Sequence, residues 1–265
     1  MKKKSPFSRV FLVMYACATL AFLLVPVLIV VPMSFSSAST LAFPPRGFSL
    51  RWFESLLSDP AWTEAFFTSL TIATISATAA TFLAGLSMYG LERGMSRWRT
   101  AAESNLMAPL IVPGIVTAIA LYFSFAQFLL LGTYTGIVIA HTILAVPFVM
   151  MVLGTALRSL DIRLEQVAWS LGASWSQTAV RVLLPNLAPS LLASWIFAFV
   201  ISFDEVIVTS FIAGPIHTVP KKMYNELLLG VTPTITAVAT LLIIATLCVM
   251  AVAQKLRKSG EVLQS

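Results

Sequence analysis

Apolar residues run along this chain in six long stretches separated by short polar segments. The stretches cover roughly 9–33, 64–91, 104–130, 136–158, 187–212 and 234–254. Each is near the ~20 residues that an α-helix needs to cross a bilayer. The pattern predicts an all-α fold, a polytopic membrane bundle of about six transmembrane helices. Proline falls inside several stretches: Pro26 and Pro32 in the first, Pro109 and Pro113 in the third, Pro147 in the fourth, Pro189 in the fifth. A bundle tolerates them because neighbouring helices re-satisfy the freed backbone groups.

Composition agrees with the pattern. Of 265 residues, 58% are hydrophobic and only 11% charged, and the mean hydropathy is +0.91. A soluble domain averages ~25% charged residues. The net charge is +6, yet the basic residues sit in short segments between apolar stretches. That is a topology signal and speaks against a nucleic-acid-binding face. Cys17 and Cys248 lie within apolar runs, form no metal spacing or disulfide framework, and read as small buried hydrophobes. The Lys2-Lys3-Lys4 start resembles a signal peptide, but Val10 to Met33 exceeds a signal core of ~7–15 residues, so an uncleaved anchor is expected.

Lys and Arg set the orientation. With both termini inside, the inner segments hold Lys2, Lys3, Lys4, Arg9, Arg93, Arg97, Arg99, Arg158, Arg163, Arg181, Lys255, Arg257 and Lys258. The outer segments hold only Arg46, Arg51, Lys221 and Lys222. The positive-inside rule selects this arrangement. The chain then divides into a cytoplasmic 1–8, a first span 9–33, an outer segment 34–63, a core 64–254 with five spans and an inner loop 159–186, and a cytoplasmic 255–265. The outer segments 34–63 and 213–233 admit two readings, contact with an outside partner or simple cover for the bundle.

The longest inner connection reads DIRLEQVAWSLGASWSQTAVRVLLPNLAPS from Asp161 to Ser190. Asp161 is a candidate N-cap. A helix over 162–171 would place Leu164, Val167, Ala168 and Leu171 on one face, and Gly172 would end it in a left-handed cap. A second short helix over 174–182 would follow, closed by Pro185. Two short helices on the membrane surface form a knob suited to docking a soluble partner. The alternative is an interfacial amphipathic helix without one.

Within this loop Glu165-Gln166-Val167-Ala168-Trp169-Ser170-Leu171-Gly172-Ala173, with Leu184-Pro185 beyond, resembles the E-A-A-x-x-x-G motif and following L-P of permease subunits of ATP-binding-cassette importers. Gln166 and Val167 depart from the usual alanines. The resemblance runs from about Thr68 to Leu247. It includes Ala140-His141-Thr142 with Val146-Pro147-Phe148-Val149, Ser202-Phe203-Asp204-Glu205-Val206-Ile207-Val208-Thr209-Ser210-Phe211 with Gly214-Pro215, and Gly230-Val231-Thr232-Pro233 with Ala237-Val238-Ala239-Thr240. Together these are similar to the second permease of spermidine/putrescine importers. The resemblance implies a bacterial inner-membrane location and a coupling helix, with Glu165, Ala168, Gly172, Ala173 and Pro185 seated on an ATPase. It also implies an ATPase dimer carrying ATP and Mg, a second homologous permease and a soluble solute-binding protein.

Asp204 and Glu205 are the only carboxylates placed inside a span. A charge there costs at least ~2.5–3.5 kcal/mol at the bilayer centre, which points to a functional or paired role. A cationic substrate would meet the need, and in the resembled permeases the matching acidic pair is implicated in recognising the cation. Asp204 lies ~25 Å along the fifth span, at a level with Gln127 and His141. On one continuous helix adjacent residues point ~100° apart, so Asp204 and Glu205 would not share one narrow path. Trp195, Phe199 and Phe203 form an i, i+4 stripe that serves either cation contact or helix packing. His141 reads either as a packing histidine or as a pathway residue, and Gln127 either as an interhelical hydrogen bond or as a pathway residue.

No G-x-x-x-x-G-K-[ST] phosphate loop occurs, and His141 and His217 are too far apart in sequence to suggest a catalytic or metal cluster. The chain therefore reads as a non-enzyme with no cofactor of its own. The leading expectation is a permease for a small cationic amine. The alternatives are another solute of the same importer class (an aminobutyrate-like amino acid, opine, aminophosphonate or ferric iron), a secondary transporter, or a membrane enzyme.

Overall fold

The computed structural model describes residues 6–94, 99–230 and 232–247, and among these it contains helices and no strand. The expectations for Lys2-Lys3-Lys4, Arg97, Cys248, both termini and the end of the sixth span fall outside the described residues. The chain divides into two compact units, residues 1–62 with 225–265, and residues 63–224.

In the first unit, α1 (Pro6–Ser34) carries the first apolar stretch, with Pro26 and Pro32 inside it. None of that stretch is buried by the chain. Cys17 is accordingly exposed, a correction to its expected burial, because α1 turns its apolar surface away from any core of its own. The loop after α1 is pinned by Ser49 N–H to the Phe35 carbonyl (2.8 Å) and by Trp52 Nε1 to the Ser36 carbonyl (2.9 Å). Phe35 packs on Phe48 and Phe53. The short α2 (Arg51–Ser58) and the apolar α13 (Thr234–Leu247) complete this unit.

In the second unit the long helices α3 (Pro60–Arg93), α7 (Tyr134–Ser159) and α10 (Leu184–Phe203) share a core. Ala73, Ala77, Ala80 and Ala84 recur at helical spacing on α3 and are fully buried. Such small side chains let helix backbones approach closely where no hydrophobic force separates helix from lipid. Across from them Val149, Met150, Leu153 and Leu157 of α7 fill the core. Gly154 sits so close to α3 that an added Cβ would lie 2.7 Å from Met88 Cε. A second cluster joins Ile72, Ala118, Phe125, Ile137, Ala140, Val208 and Ile212.

Among the described residues, four helices are long and apolar enough to span a membrane: α1, α3, α7 and the helical run Trp175–Phe203. The third expected span is instead divided into α4 (Arg99–Leu106), α5 (Ala108–Ile111) and α6 (Gly114–Gln127). Pro109 sits in the first turn of α5 and Pro113 precedes α6, and each removes an amide donor where a continuous helix needs one. Of these pieces only α6, with α13 of the other unit, is a shorter apolar helix. The fifth expected span is also broken: α10 stops at Phe203 and α11 (Ile207–Ile212) restarts the helix. The segment beyond it, expected to lie outside, contains α12 (Val219–Leu229), which takes in Tyr224 and Glu226.

Candidate functional site

Two places in the second unit concentrate polar groups. The first is the break at 204–206. Glu205 accounts for the restart of the helix: its carboxylate accepts from the Val208 N–H at 2.7 Å, and its carbonyl accepts from the Thr209 hydroxyl at 2.9 Å. A carboxylate at a helix N-terminus satisfies an otherwise orphaned donor and suits the dipole. His141, 1% exposed, reaches across the break from α7. Its Nδ1 lies 2.8 Å from Ser202 Oγ on α10 and its Nε2 lies 2.9 Å from Thr209 Oγ1 on α11. The Thr209 proton is committed to Glu205, so the network assigns Nε2 as donor and Nδ1 as acceptor of the Ser202 hydroxyl. His141 thus bridges the two helix ends and is buried between them.

Asp204 is different. It is the exposed C-cap residue of α10, its backbone N–H bonded to the Val200 carbonyl. A negative charge at a helix C-terminus opposes the dipole by ~0.3–1 kcal/mol, so local structure gives it no purpose there. Because α10 ends at this point, the two carboxylates do not sit on one continuous helix as expected. They part because Glu205 caps α11 while Asp204 remains available. Leading to Asp204 along α10, Trp195 stacks on Phe199 (5.6 Å between ring centroids) and Phe199 on Phe203 (5.7 Å). Trp195 Nε1 donates to Thr78 Oγ1 of α3 at 3.0 Å. The rings are half-buried, and Trp195 and Phe199 pack against the α3–α7–α10 core. Gln127 stands exposed at the last turn of α6. The Gly132 N–H donates to the Ile212 carbonyl (2.8 Å), and the buried Lys221 Nζ donates to the carbonyls of Gly214 (2.6 Å) and Ile216 (3.0 Å). These bonds fix the outgoing end of α11. Burial pushes the Lys221 ammonium below its ordinary pKa.

The second place is the inner loop. The helix α8 (Arg163–Ser170) forms close to the expected bounds. Asp161 accepts from the Arg163 N–H (2.9 Å), although the N-cap position itself is Ile162. Gly172, with φ +84°, ends α8: its N–H bonds the Trp169 carbonyl and the Ala173 N–H bonds the Ala168 carbonyl, the paired bonds of a Schellman cap. Ser174 and Gln177 then cap each other's backbone to start α9 (Trp175–Thr178). Pro185 does not close this second helix, contrary to expectation. A π-turn over Ala179–Leu183 runs directly into α10, and its wider winding absorbs the donor that Pro185 lacks. The Val182 carbonyl accepts from Asn186 Nδ2 at 2.7 Å.

Leu164, Val167 and Leu171 of α8 are exposed, Ala168 and Ala173 half-buried, Gly172 and Pro185 exposed. Glu165 alone is fully buried. Its Oε1 accepts from Arg93 Nε at 2.8 Å and its Oε2 from the Tyr89 hydroxyl at 2.9 Å. Arg93 also donates to the Leu160 carbonyl at 3.2 Å. Beside this, Glu92 joins Arg99 (2.6 Å) and Arg158 (2.7 Å), and Arg158 reaches Glu103 (2.9 Å), tying α3, α4 and α7 together. Sequence reasoning missed Ser202, Thr209, Thr78, Tyr89 and Arg93 as partners. Hydroxyls inside apolar spans were the only available signal for the first three. Among the described residues, no three His, Cys, Asp or Glu side chains are grouped to hold a metal ion.

Comparison with known proteins places this geometry. The family described as "Binding-protein-dependent transport system inner membrane component" matches residues 3–258. The chain is 32% identical over 246 residues to the spermidine/putrescine transport system permease protein PotC of Escherichia coli K12, covering 91% of each chain. It is 34% identical over 233 residues to the putrescine transport system permease protein PotI of the same organism, covering 84% of this chain and 82% of that one. Its fold is similar to a chain of a bacterial ABC transporter involved in the import of the acidic polysaccharide alginate, with TM-score 0.77, 16% identity, and 96% and 99% of the two chains covered. A chain of the MetNI methionine ABC transporter gives TM-score 0.60 at 17% identity, over 76% of this chain and 98% of that one.

Proposed function

The chain belongs to the family of binding-protein-dependent transport system inner membrane components, and we propose that it is one permease subunit of an ATP-driven importer for a small cationic amine of the polyamine class. The observation that carries the solute class is Asp204. It is an exposed carboxylate at a helix end that disfavours negative charge, reached along a ladder of three stacked aromatic rings. Ring faces attract ammonium groups, and a carboxylate beyond them completes a path for a chain of separated positive charges. The names of PotC and PotI support the same class.

ATP hydrolysis belongs to a partner ATPase dimer that grips the exposed apolar face of α8. A second, homologous permease completes the pathway, and a soluble binding protein delivers the solute from outside. Alternating access follows as rigid-body motion of the helical bundles. Glu205 and His141 fix the geometry of the break. Asp204, Trp195 and Phe199 meet the solute, with Gln127 beside the path.

Reconstitution of the chain with its ATPase, second permease and binding protein in liposomes tests this reading. Uptake of labelled putrescine by Asp204→Asn is expected to show KM raised at least ~10-fold, the equivalent of ~1.4 kcal/mol of lost charge pairing. Unaltered uptake kinetics in Asp204→Asn refute Asp204 as the solute contact.

A further inference from the structure

A charged residue on a short surface helix ordinarily faces water. Glu165 does the opposite. It is fully buried while Leu164 and Val167 on either side are exposed, so α8 shows its apolar face outward and its one carboxylate inward. A buried charge is tolerated only when paired and hydrogen-bonded, and here both oxygens are occupied within the chain, one by Arg93 and one by Tyr89. Buried and paired in this way, the side chain is turned away from the surface that another protein would meet.

We propose that Glu165 is an internal positioning residue that latches the inner loop to the cytoplasmic end of α3, so that load applied to α8 is delivered to α3. The proposal rests on the reading of this loop as the ATPase contact. Two further contacts and short chain links make the latch a junction. Arg93 also holds the Leu160 carbonyl that caps α7. Tyr89 packs edge-on against Trp175 of α9, with centroids 6.1 Å apart. The covalent links on either side of α8 are short turns, Leu160 to Ile162 and Leu171 to Ser174. Without the ion pair α8 would keep these links and the Tyr89 hydrogen bond but lose its tie to Arg93. The helix that receives the load is also the one whose Thr78 accepts from Trp195 at the head of the aromatic ladder.

The test uses the full complex in nanodiscs with three readouts: ATPase subunit retained on purification, ATP hydrolysis stimulated by solute-loaded binding protein, and solute uptake. Variants are Glu165→Gln, Arg93→Gln, and the exchange Glu165→Arg with Arg93→Glu. The two single variants are expected to keep the ATPase bound and to lose stimulation and uptake at least ~10-fold. The exchange is expected to recover most of both, because a charge-assisted pair is restored. Loss of the bound ATPase in Glu165→Gln, with Arg93→Gln behaving as wild type, makes Glu165 a direct partner contact and overturns the latch. Full stimulation in both single variants also overturns it. A wild-type chain that retains no ATPase defeats the importer reading itself, which separates the two failures.

Discussion

Replacing His141 by leucine keeps the volume at the centre of the second unit and removes both bonds across the 204–206 break. The cost follows from the geometry. Two interhelical bonds in a membrane protein are worth ~0.6 kcal/mol each. Thr209 keeps its bond to the Glu205 carbonyl, whereas the buried Ser202 hydroxyl loses the partner seen at 2.8 Å. A stranded buried hydroxyl adds ~1–2 kcal/mol, so the total is ~2–3 kcal/mol. That sum shifts opening of the break ~30- to 150-fold and lowers Tm by about 4–12 °C for a chain of this size. Thermal unfolding in detergent reads the second quantity. The first is read by alkylation of a Val206→Cys probe in a background without the native cysteines, with His141→Gln as the variant that retains a donor and an acceptor. If His141→Leu melts within ~1 °C of wild type and the probe reacts at the unchanged rate, the histidine is ordinary packing and the argument fails.

Two other outcomes are expected. Gly172→Ala should cost ~1–2 kcal/mol from the left-handed backbone alone, because an added Cβ there meets nothing within 4 Å. Gly172→Asn should cost less, and hydrogen exchange of the α8 amides compares the two. Partial burial, with Lys221 and Lys222 nearby, holds the His217 imidazole below its ordinary pKa of 6.5. The fold then binds fewer protons than the unfolded chain, so this contribution to stability is complete above pH ~6.5 and is lost as pH falls toward the depressed native value. Melting curves at several pH values should show that acid-side loss in wild type and not in His217→Asn; parallel curves for the two proteins defeat the assignment.

The helical class and the positions of the long spans were legible because an apolar run of membrane length leaves the backbone few other choices. The end of α8 was written in Gly172, whereas the interruption at Pro109 and Pro113 was not foreseen, since Pro26, Pro32, Pro147 and Pro189 sit inside unbroken helices. The break at 204–206 carries no proline or glycine. It depends on His141, 61 residues before Ser202 and 68 before Thr209, and on a glutamate that caps the second piece, which local periodicity cannot register. The burial of Glu165 was illegible for a similar reason. Its partners lie 72 and 76 residues away on another helix, and only the packed bundle turns it inward. Pro185 looked like a stop because its ring forbids ordinary α-winding, and a turn of looser pitch evades that rule.

The absence of a stop at Pro185 has a mechanical consequence. From Trp175 to Phe203 the backbone is one helical pole of 29 residues, ~44 Å long at ordinary rise. Its foot stands in the inner loop and its tip carries Asp204. A tilt of ~5° about the foot swings the tip through ~4 Å, about the width of a methylene chain, so a small nudge at the foot becomes a full displacement of the carboxylate.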